Sequence, residues 1–285
     1  MNATPSIEHS ISTPFGRVSA VEYAGEEPAI VLMHGYPDDS HAYDKLVPEL
    51  RPRRTIRFDF LGYGNSERSQ TAPMEASQRT TETAAVMDQI GIEQAVVVGH
   101  DAGGPVAVDY ARQNPDRVAK IALMNCFYGH SETLTFPDLI QLLADAPLAN
   151  LTDSLLADPT QALWLLAHTG AELGYDASEE LVVDAVQPQF FGSEGQADAL
   201  KAIRAWTARL PMDLSTQDKA ISEGEISSMR TPVDVIFGAS DKYLDPGVAR
   251  HLAGLFANAR VTLLEGARHW VQSDRAAEVA SLLKG

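Results

Sequence analysis

Val96-Val97-Val98-Gly99-His100-Asp101-Ala102-Gly103-Gly104 is an apolar run that meets a cluster of glycines just before a helix-like segment at 103–113. Glycines two before and two after a central residue let a strand turn sharply into a helix and lift one side chain above the sheet edge. That side chain is Asp101. The N–H groups and dipole at the start of the helix favour its ionised form, so the stretch predicts a presented carboxylate nucleophile. Aspartate is also a favoured helix N-cap, which is the structural alternative. A dinucleotide-binding loop fits less well, because the spacing is not GxGxxG and the strand is about the fifth rather than the first.

Outward from this turn, apolar runs alternate with helical stretches. Ile7 to Thr13 and Arg17 to Ala24 predict paired strands around the turn Thr13-Pro14-Phe15-Gly16, and Ala29 to Met33 predicts a strand buried on both faces. Thr55 to Phe58, Ala95 to Val98 and Val118 to Met124 follow, with helices expected at 39–50, 76–90 and 103–113. From 127 to 228 the strand pattern stops, and helix-like segments are punctuated by Pro137, Pro147, Pro159, Pro188 and Pro211. It resumes at Val233 to Phe237, followed by a helix at 246–256, a strand at 260–264 and a helix at 272–284. The pattern predicts a mostly parallel sheet from 1–126 and 229–285, covered by helices on both faces, with a helical insertion at 127–228 after the sixth strand.

The chain has 285 residues, 45% hydrophobic and 21% charged, which excludes a disordered or fibrous protein. Lys and Arg number 22 against 39 Asp and Glu, a formal net charge of -17. Phosphate binding needs a positive field, so no nucleic acid or anionic membrane is expected as a partner. Cys126 stands alone and no CxxC or HExxH spacing occurs, so neither a metal nor a disulfide is expected, and no motif calls for a cofactor. No apolar run approaches the roughly 18 residues of a membrane span, and the first residues do not read as a signal peptide. A cytoplasmic protein, monomeric or homodimeric, is the expectation.

Three more segments fall just beyond predicted strands, where open α/β sheets bind their ligands. His34-Gly35-Tyr36-Pro37 follows the third strand, and its Tyr36 N–H, with that of Ala102, predicts an oxyanion hole. Asp241 follows the seventh strand and His269 the eighth. The chain thereby resembles the α/β hydrolases over essentially its whole length, in the order nucleophile, acid, histidine. The resemblance implies an eight-stranded α/β-hydrolase core with the insertion as a cap.

An aspartate at the nucleophile position narrows the resemblance to epoxide hydrolases and to haloalkane and haloacetate dehalogenases. A carboxylate needs no prior deprotonation and can displace a leaving group at saturated carbon, forming an alkyl ester of Asp101. His269, oriented by Asp241, would then activate the water that hydrolyses it. An epoxide hydrolase acting on a small uncharged epoxide is the first expectation, with a haloalkane dehalogenase as the alternative. A non-catalytic binding protein on the same scaffold is a further one.

Epoxide hydrolases in this group use two cap tyrosines on the epoxide oxygen, and Tyr128 and Tyr175 are the only tyrosines between 127 and 228. The haloalkane enzymes usually carry a halide-binding tryptophan after the nucleophile, where this chain has Ala102; Trp164 or Trp206 would have to serve instead. Haloacetate enzymes typically have an arginine there, so Ala102 argues against an anionic substrate. His100 is placed beside the substrate or in the turn. Asn125, at the end of the sixth strand where some dehalogenases carry their acid, is read as a hydrogen-bonding residue, and Cys126 as packing.

Overall fold

A computed structural model describes residues 5–68, 72, 74–191 and 196–285. Eight strands form one sheet: β1 (Ser6–Thr13), β2 (Gly16–Tyr23), β3 (Glu26–Met33), β4 (Arg53–Phe58), β5 (Ala95–Asp101), β6 (Val118–Cys126), β7 (Val233–Gly238) and β8 (Ala259–Leu264). Their order across the sheet is β1-β2-β4-β3-β5-β6-β7-β8. β1 and β2 pair antiparallel, β2 and β4 pair antiparallel, and every other pairing is parallel.

The continuous apolar strands are explained by cover on both faces. Along β3, Ala29, Val31 and Met33 enter one core, with Val86 and Met87 of α1 (Ala76–Ile90) and Val106 of α2 (Gly103–Gln113). Ile30 and Leu32, pointing the other way, pack in a second core with residues of the C-terminal helices α9 (Val271–Asp274) and α10 (Ala276–Lys284), among them Val271, Val279 and Leu283. The β7–β8 connection carries α8 (Pro246–Gly254), which returns to the first core through Val248 and Leu252.

Between β6 and β7 the chain runs through α3 (Asp138–Ala144), α4 (Ala149–Ala157), α5 (Pro159–Glu172), α6 (Gln187–Phe191) and α7 (Gln196–Ser222), with no strand among the described residues. Two helical expectations need correction. The segment 39–50 forms two short 3-10 turns, Ser40–Tyr43 and Val47–Leu50, because Pro48 removes a donor from any continuous α ladder. The helix expected at 272–284 is split at Arg275, whose backbone is non-helical.

Because β3, β5, β6, β7 and β8 are parallel neighbours, the segments after them emerge at one sheet edge. His34 to Pro37, Asp101, Asn125, Asp241 and His269 all lie there or just beyond. No helix among the described residues is long and apolar enough to cross a membrane.

Candidate active site

Asp101 ends β5 with a φ of 47°, in the left-handed region that costs a non-glycine residue about 1–3 kcal/mol. Burial of Val97 and Val98, at about 1.5–3 kcal/mol for each large apolar side chain, is ample to hold it there. The flanking glycines let the chain fold back on itself. A Cβ on Gly99 would stand 2.4 Å from the Gly103 carbonyl oxygen, and one on Gly103 would stand 2.5 Å from the carbonyl oxygens of Met33 and His34. Helix, turn and third strand are therefore in backbone contact, and the Asp101 carboxylate is held over their junction.

One oxygen of that carboxylate is already bound. Asp101 Oδ1 accepts the Tyr36 N–H at 3.1 Å and the Ala102 N–H at 2.6 Å. The other, Oδ2, lies 3.9 Å from His269 Nε2. On its far side the imidazole is fixed, with Nδ1 2.8 Å from Asp241 Oδ2. Asp241 has four donors: His269 Nδ1 and Asn125 Nδ2 (2.9 Å) on Oδ2, and the N–H groups of Tyr243 (2.9 Å) and Leu244 (3.1 Å) on Oδ1. Asn125 Oδ1 accepts the Gly238 N–H at 2.7 Å, tying the ends of β6 and β7 together beneath the acid.

A cavity opens above Asp101. Its lining includes Tyr36, Ala102 and His269 from the sheet edge, Phe136, Leu166, Trp206 and Thr207 from the insertion, and Tyr243 after β7. The walls are mostly apolar, and none of the described lining residues is a lysine or arginine.

A family model described as the alpha/beta hydrolase fold matches residues 28–276. The chain belongs to that family. It is 30% identical over 266 residues to a 2-hydroxymuconate semialdehyde hydrolase of a Pseudomonas species, covering 89% of this chain and 84% of that protein. It is 26% identical over 279 residues to haloalkane dehalogenase 2 of Mycobacterium bovis, covering 94% of this chain and 90% of that one. Among solved structures, epoxide hydrolase A of Mycobacterium thermoresistibile superposes with a TM-score of 0.72 at 23% identity over 98% of this chain and 97% of that one, a likeness of fold. The protein is thus a hydrolase of the α/β fold, similar in sequence to a haloalkane dehalogenase and to a 2-hydroxymuconate semialdehyde hydrolase.

Within this hydrolase, four of the expected substrate contacts do not line the cavity. The Tyr128 hydroxyl donates to Asp109 Oδ1 on α2 at 2.8 Å, and the ring is buried. The Tyr175 hydroxyl accepts the Trp270 N–H at 2.9 Å and donates to Asp274 Oδ2 at 3.3 Å, while the Arg268 guanidinium covers its ring. Trp164 is 65% exposed and stacks on His168. His100 lies buried behind the site, its Nε2–H donating to the His269 carbonyl oxygen at 3.1 Å. Trp206, the remaining expected aromatic of the insertion, does line the cavity.

Several site residues went unread in the sequence. Asp38, fully buried, accepts the Trp270 indole N–H at 2.6 Å on Oδ2 and braces the residue after His269. Its place just after Pro37 gave no signal of its own. Tyr243 was hidden by the apparent irregularity after β7. Arg79 carried a usable signal: with Thr83 and Val86 it follows the i, i+4, i+7 spacing of a buried helical face, which a charged residue enters only for a reason.

Electrostatics follow the geometry. Burial disfavours the charged His269, but the charge and hydrogen bond of Asp241, with Asp101 and Asp38 beyond, outweigh it and raise its pKa to about 8. Burial likewise pushes Asp101 up, against the pull of His269, His100 and the Ala102 N–H. For Asp241, burial is overcome by His269 and the two backbone donors, and its pKa is lowered. Elsewhere, Asp138, His168 and Glu172 bring metal-ligand atoms within 4.8 Å of one another. Glu172 Oε1 accepts from the Tyr243 hydroxyl and Lys242, while Oε2 has no hydrogen-bond partner among the described residues.

Proposed function

We propose that this hydrolase acts on small uncharged electrophiles through a covalent alkyl ester of Asp101. The observation that carries the reading is the unequal treatment of the two carboxylate oxygens. Oδ2, free of backbone donors, attacks a saturated carbon, and the bond to the leaving group breaks with its electron pair. Oδ1 then becomes the ester carbonyl oxygen, already seated on the Tyr36 and Ala102 N–H groups. Neutral His269 takes a proton from water, the hydroxide attacks Asp101 Cγ, and the charge gathering on Oδ1 meets those two donors; the centre then collapses, the Cγ–Oδ2 bond breaks, and the leaving alkoxide takes the proton from His269 Nε2. Asp241 holds the imidazole with Nε2 turned toward Asp101. The insertion 127–228 serves as the cap, on a core of 1–126 and 229–285.

An epoxide is the first reading of the substrate, resting on the carboxylate nucleophile and the apolar walls; the hydroxyls of the two lining tyrosines, Tyr36 and Tyr243, donate to the Ile203 carbonyl oxygen and to Glu172 Oε1. A haloalkane is the second, favoured by the relative named haloalkane dehalogenase 2 and by the Trp206 indole in the wall. Apolar walls without a lysine or arginine suit either and disfavour an anionic substrate.

Single turnover in 18O-water with enzyme in excess tests the ester. The first product should carry unlabelled oxygen, donated by Asp101, and the label should appear in the Asp101 carboxylate by peptide mass spectrometry. Label in the first product and none in Asp101 would mean direct attack of water on the substrate and would sink the proposal.

A pH dependence follows with a definite sign. In the resting enzyme the Asp101 charge helps to raise His269 to about 8. Alkylation removes that charge, so the imidazole becomes less basic in the ester and loses its proton more readily. Ester breakdown, followed by quenched flow, should rise with pH along a limb below the His269 pKa measured by NMR in the free enzyme. A limb at or above it would contradict the assigned roles.

A further inference from the structure

Both chain neighbours of His269 are bound to one turn of the insertion. Arg268, before it, sends its guanidinium to residues 174–179, and Trp270, after it, donates its N–H to the Tyr175 hydroxyl at 2.9 Å. Every N–H of the guanidinium is used. Nε and Nη2 fork onto Asp274 of α9 at 3.0 and 2.8 Å, and Nη1 and Nη2 fork onto Glu179 at 2.9 and 3.1 Å. Nη1 also donates to the Gly174 carbonyl oxygen at 2.7 Å, and the guanidinium carbon lies 3.7 Å from the ring centroid of Tyr175. The backbone is seated as closely. The Arg268 N–H donates to Asp274 Oδ2 at 2.7 Å, and a Cβ on Gly238, at the end of β7, would stand 2.1 Å from the Arg268 carbonyl oxygen.

Asp274 alone is enough to brace the histidine's own segment, because it takes the Arg268 N–H and one fork of the guanidinium. The second fork goes to Glu179, 89 residues away in the chain. A bidentate guanidinium–carboxylate pair fixes direction as well as distance, so this fork ties the backbone beside His269 to the insertion. We infer that Arg268 is a positioning residue for ester breakdown, through which the insertion's turn at 174–179 sets the place of the His269 imidazole. The inference rests on the alkyl-aspartate reading above. The step it serves is the one in which Nε2 takes a proton from water, and that water must stand between Nε2 and Asp101, whose Oδ2 lies 3.9 Å away. Alkylation in that reading uses Oδ2 without the imidazole, so it does not depend on this clasp.

The resting enzyme gives the first readout and needs no substrate. His269 Nδ1–H, bonded to Asp241 Oδ2 at 2.8 Å, is followed by NMR in 15N-histidine-labelled protein and identified by its loss in His269→Gln. Its exchange with water should become about tenfold faster in Arg268→Met and in Glu179→Gln, as the imidazole loosens from its acid. Rapid quench with styrene oxide or bromobutane gives the second. Arg268→Met should slow ester breakdown by about 10^2 and leave alkylation within about twofold of the parent, the size expected when a reacting group is misplaced by about 1 Å. Glu179→Gln keeps one accepting oxygen and should slow breakdown by about tenfold. The two changes should not add, because in Arg268→Met the Glu179 carboxylate has already lost its partner.

Unchanged Nδ1–H exchange in a folded Arg268→Met protein would overturn the inference. So would equal slowing of alkylation and breakdown, the mark of a residue that only supports the fold. Glu179 is part-exposed and such pairs contribute little to stability, so Glu179→Gln decides by the same criteria if Arg268→Met does not fold. If neither compound turns over, the exchange measurement decides alone. Exchange needs no reaction at Asp101, whereas the isotope experiment reads Asp101 without reference to Arg268, so failure of the clasp and failure of the ester are distinguishable.

Discussion

His269→Gln is expected to react once and stop. Incubated with a panel of epoxides and haloalkanes, the intact protein should gain either the whole mass of an epoxide or an alkyl group without its halogen, and the adduct should map to Asp101. The expectation follows from the division of labour at the site. In the proposed mechanism alkylation uses Asp101 Oδ2 alone, and nothing in that step needs the imidazole as a base. Breakdown does need it, because water is a poor nucleophile toward a carboxylic ester unless Nε2 removes its proton. Glutamine fits the space and can still donate to Asp241, but it has no basic nitrogen. Turnover should fall by about 10^4 to 10^6, as for removal of the histidine in other nucleophile–histidine–acid enzymes. Asp101→Ala should form no adduct at all. A His269→Gln protein that releases product at the wild-type rate would rule out the proposed base, and an adduct on any other residue would rule out the proposed nucleophile.

Local chemistry was legible in the sequence and side-chain direction was not. Gly99 and Gly103 announced the turn because close backbone approach tolerates no Cβ, a constraint that acts over four residues. The parallel order of strands then brings Asp101, Asp241 and His269 to one edge, since each follows its own strand. Tyr128 and Tyr175 lie in the segment where cap tyrosines were expected, yet their hydroxyls point to Asp109 and Asp274. Those acids stand on α2 and α9, and nothing in the local sequence of either tyrosine encodes a partner 19 or 99 residues away. The Asp38 to Trp270 bond, which spans 232 residues, is of the same kind. Arg79 is the intermediate case, where periodicity marked a buried charge but only tertiary packing showed that it meets an indole.

Asp241→Asn should leave the enzyme able to form the ester and nearly unable to hydrolyse it. Both oxygens of Asp241 are acceptors for two donors each: His269 Nδ1–H and Asn125 on Oδ2, Tyr243 and Leu244 N–H on Oδ1. A carboxamide has one oxygen, so its NH2 group must face donors on one side or the other. If the NH2 turns to Tyr243 and Leu244, two buried N–H groups lose their acceptor, at about 1–3 kcal/mol for each unsatisfied group. If it turns to His269, Asn125 Nδ2 loses its acceptor and the imidazole must flip its tautomer and offer Nδ1 as acceptor, which in the proposed mechanism places the proton on Nε2 where the base is needed. The second arrangement avoids the larger loss of backbone bonds, and it disables the histidine while leaving its position unchanged. Ester breakdown should therefore slow by about 10^4, with alkylation of Asp101 changed far less and the fold retained. His269 should also lose the charge that raises its pKa, so its NMR titration should move below about 8. Rapid-quench measurement of both steps separates the outcomes. Equal slowing of alkylation and breakdown would mean that Asp241 serves the fold of the site rather than the state of its histidine.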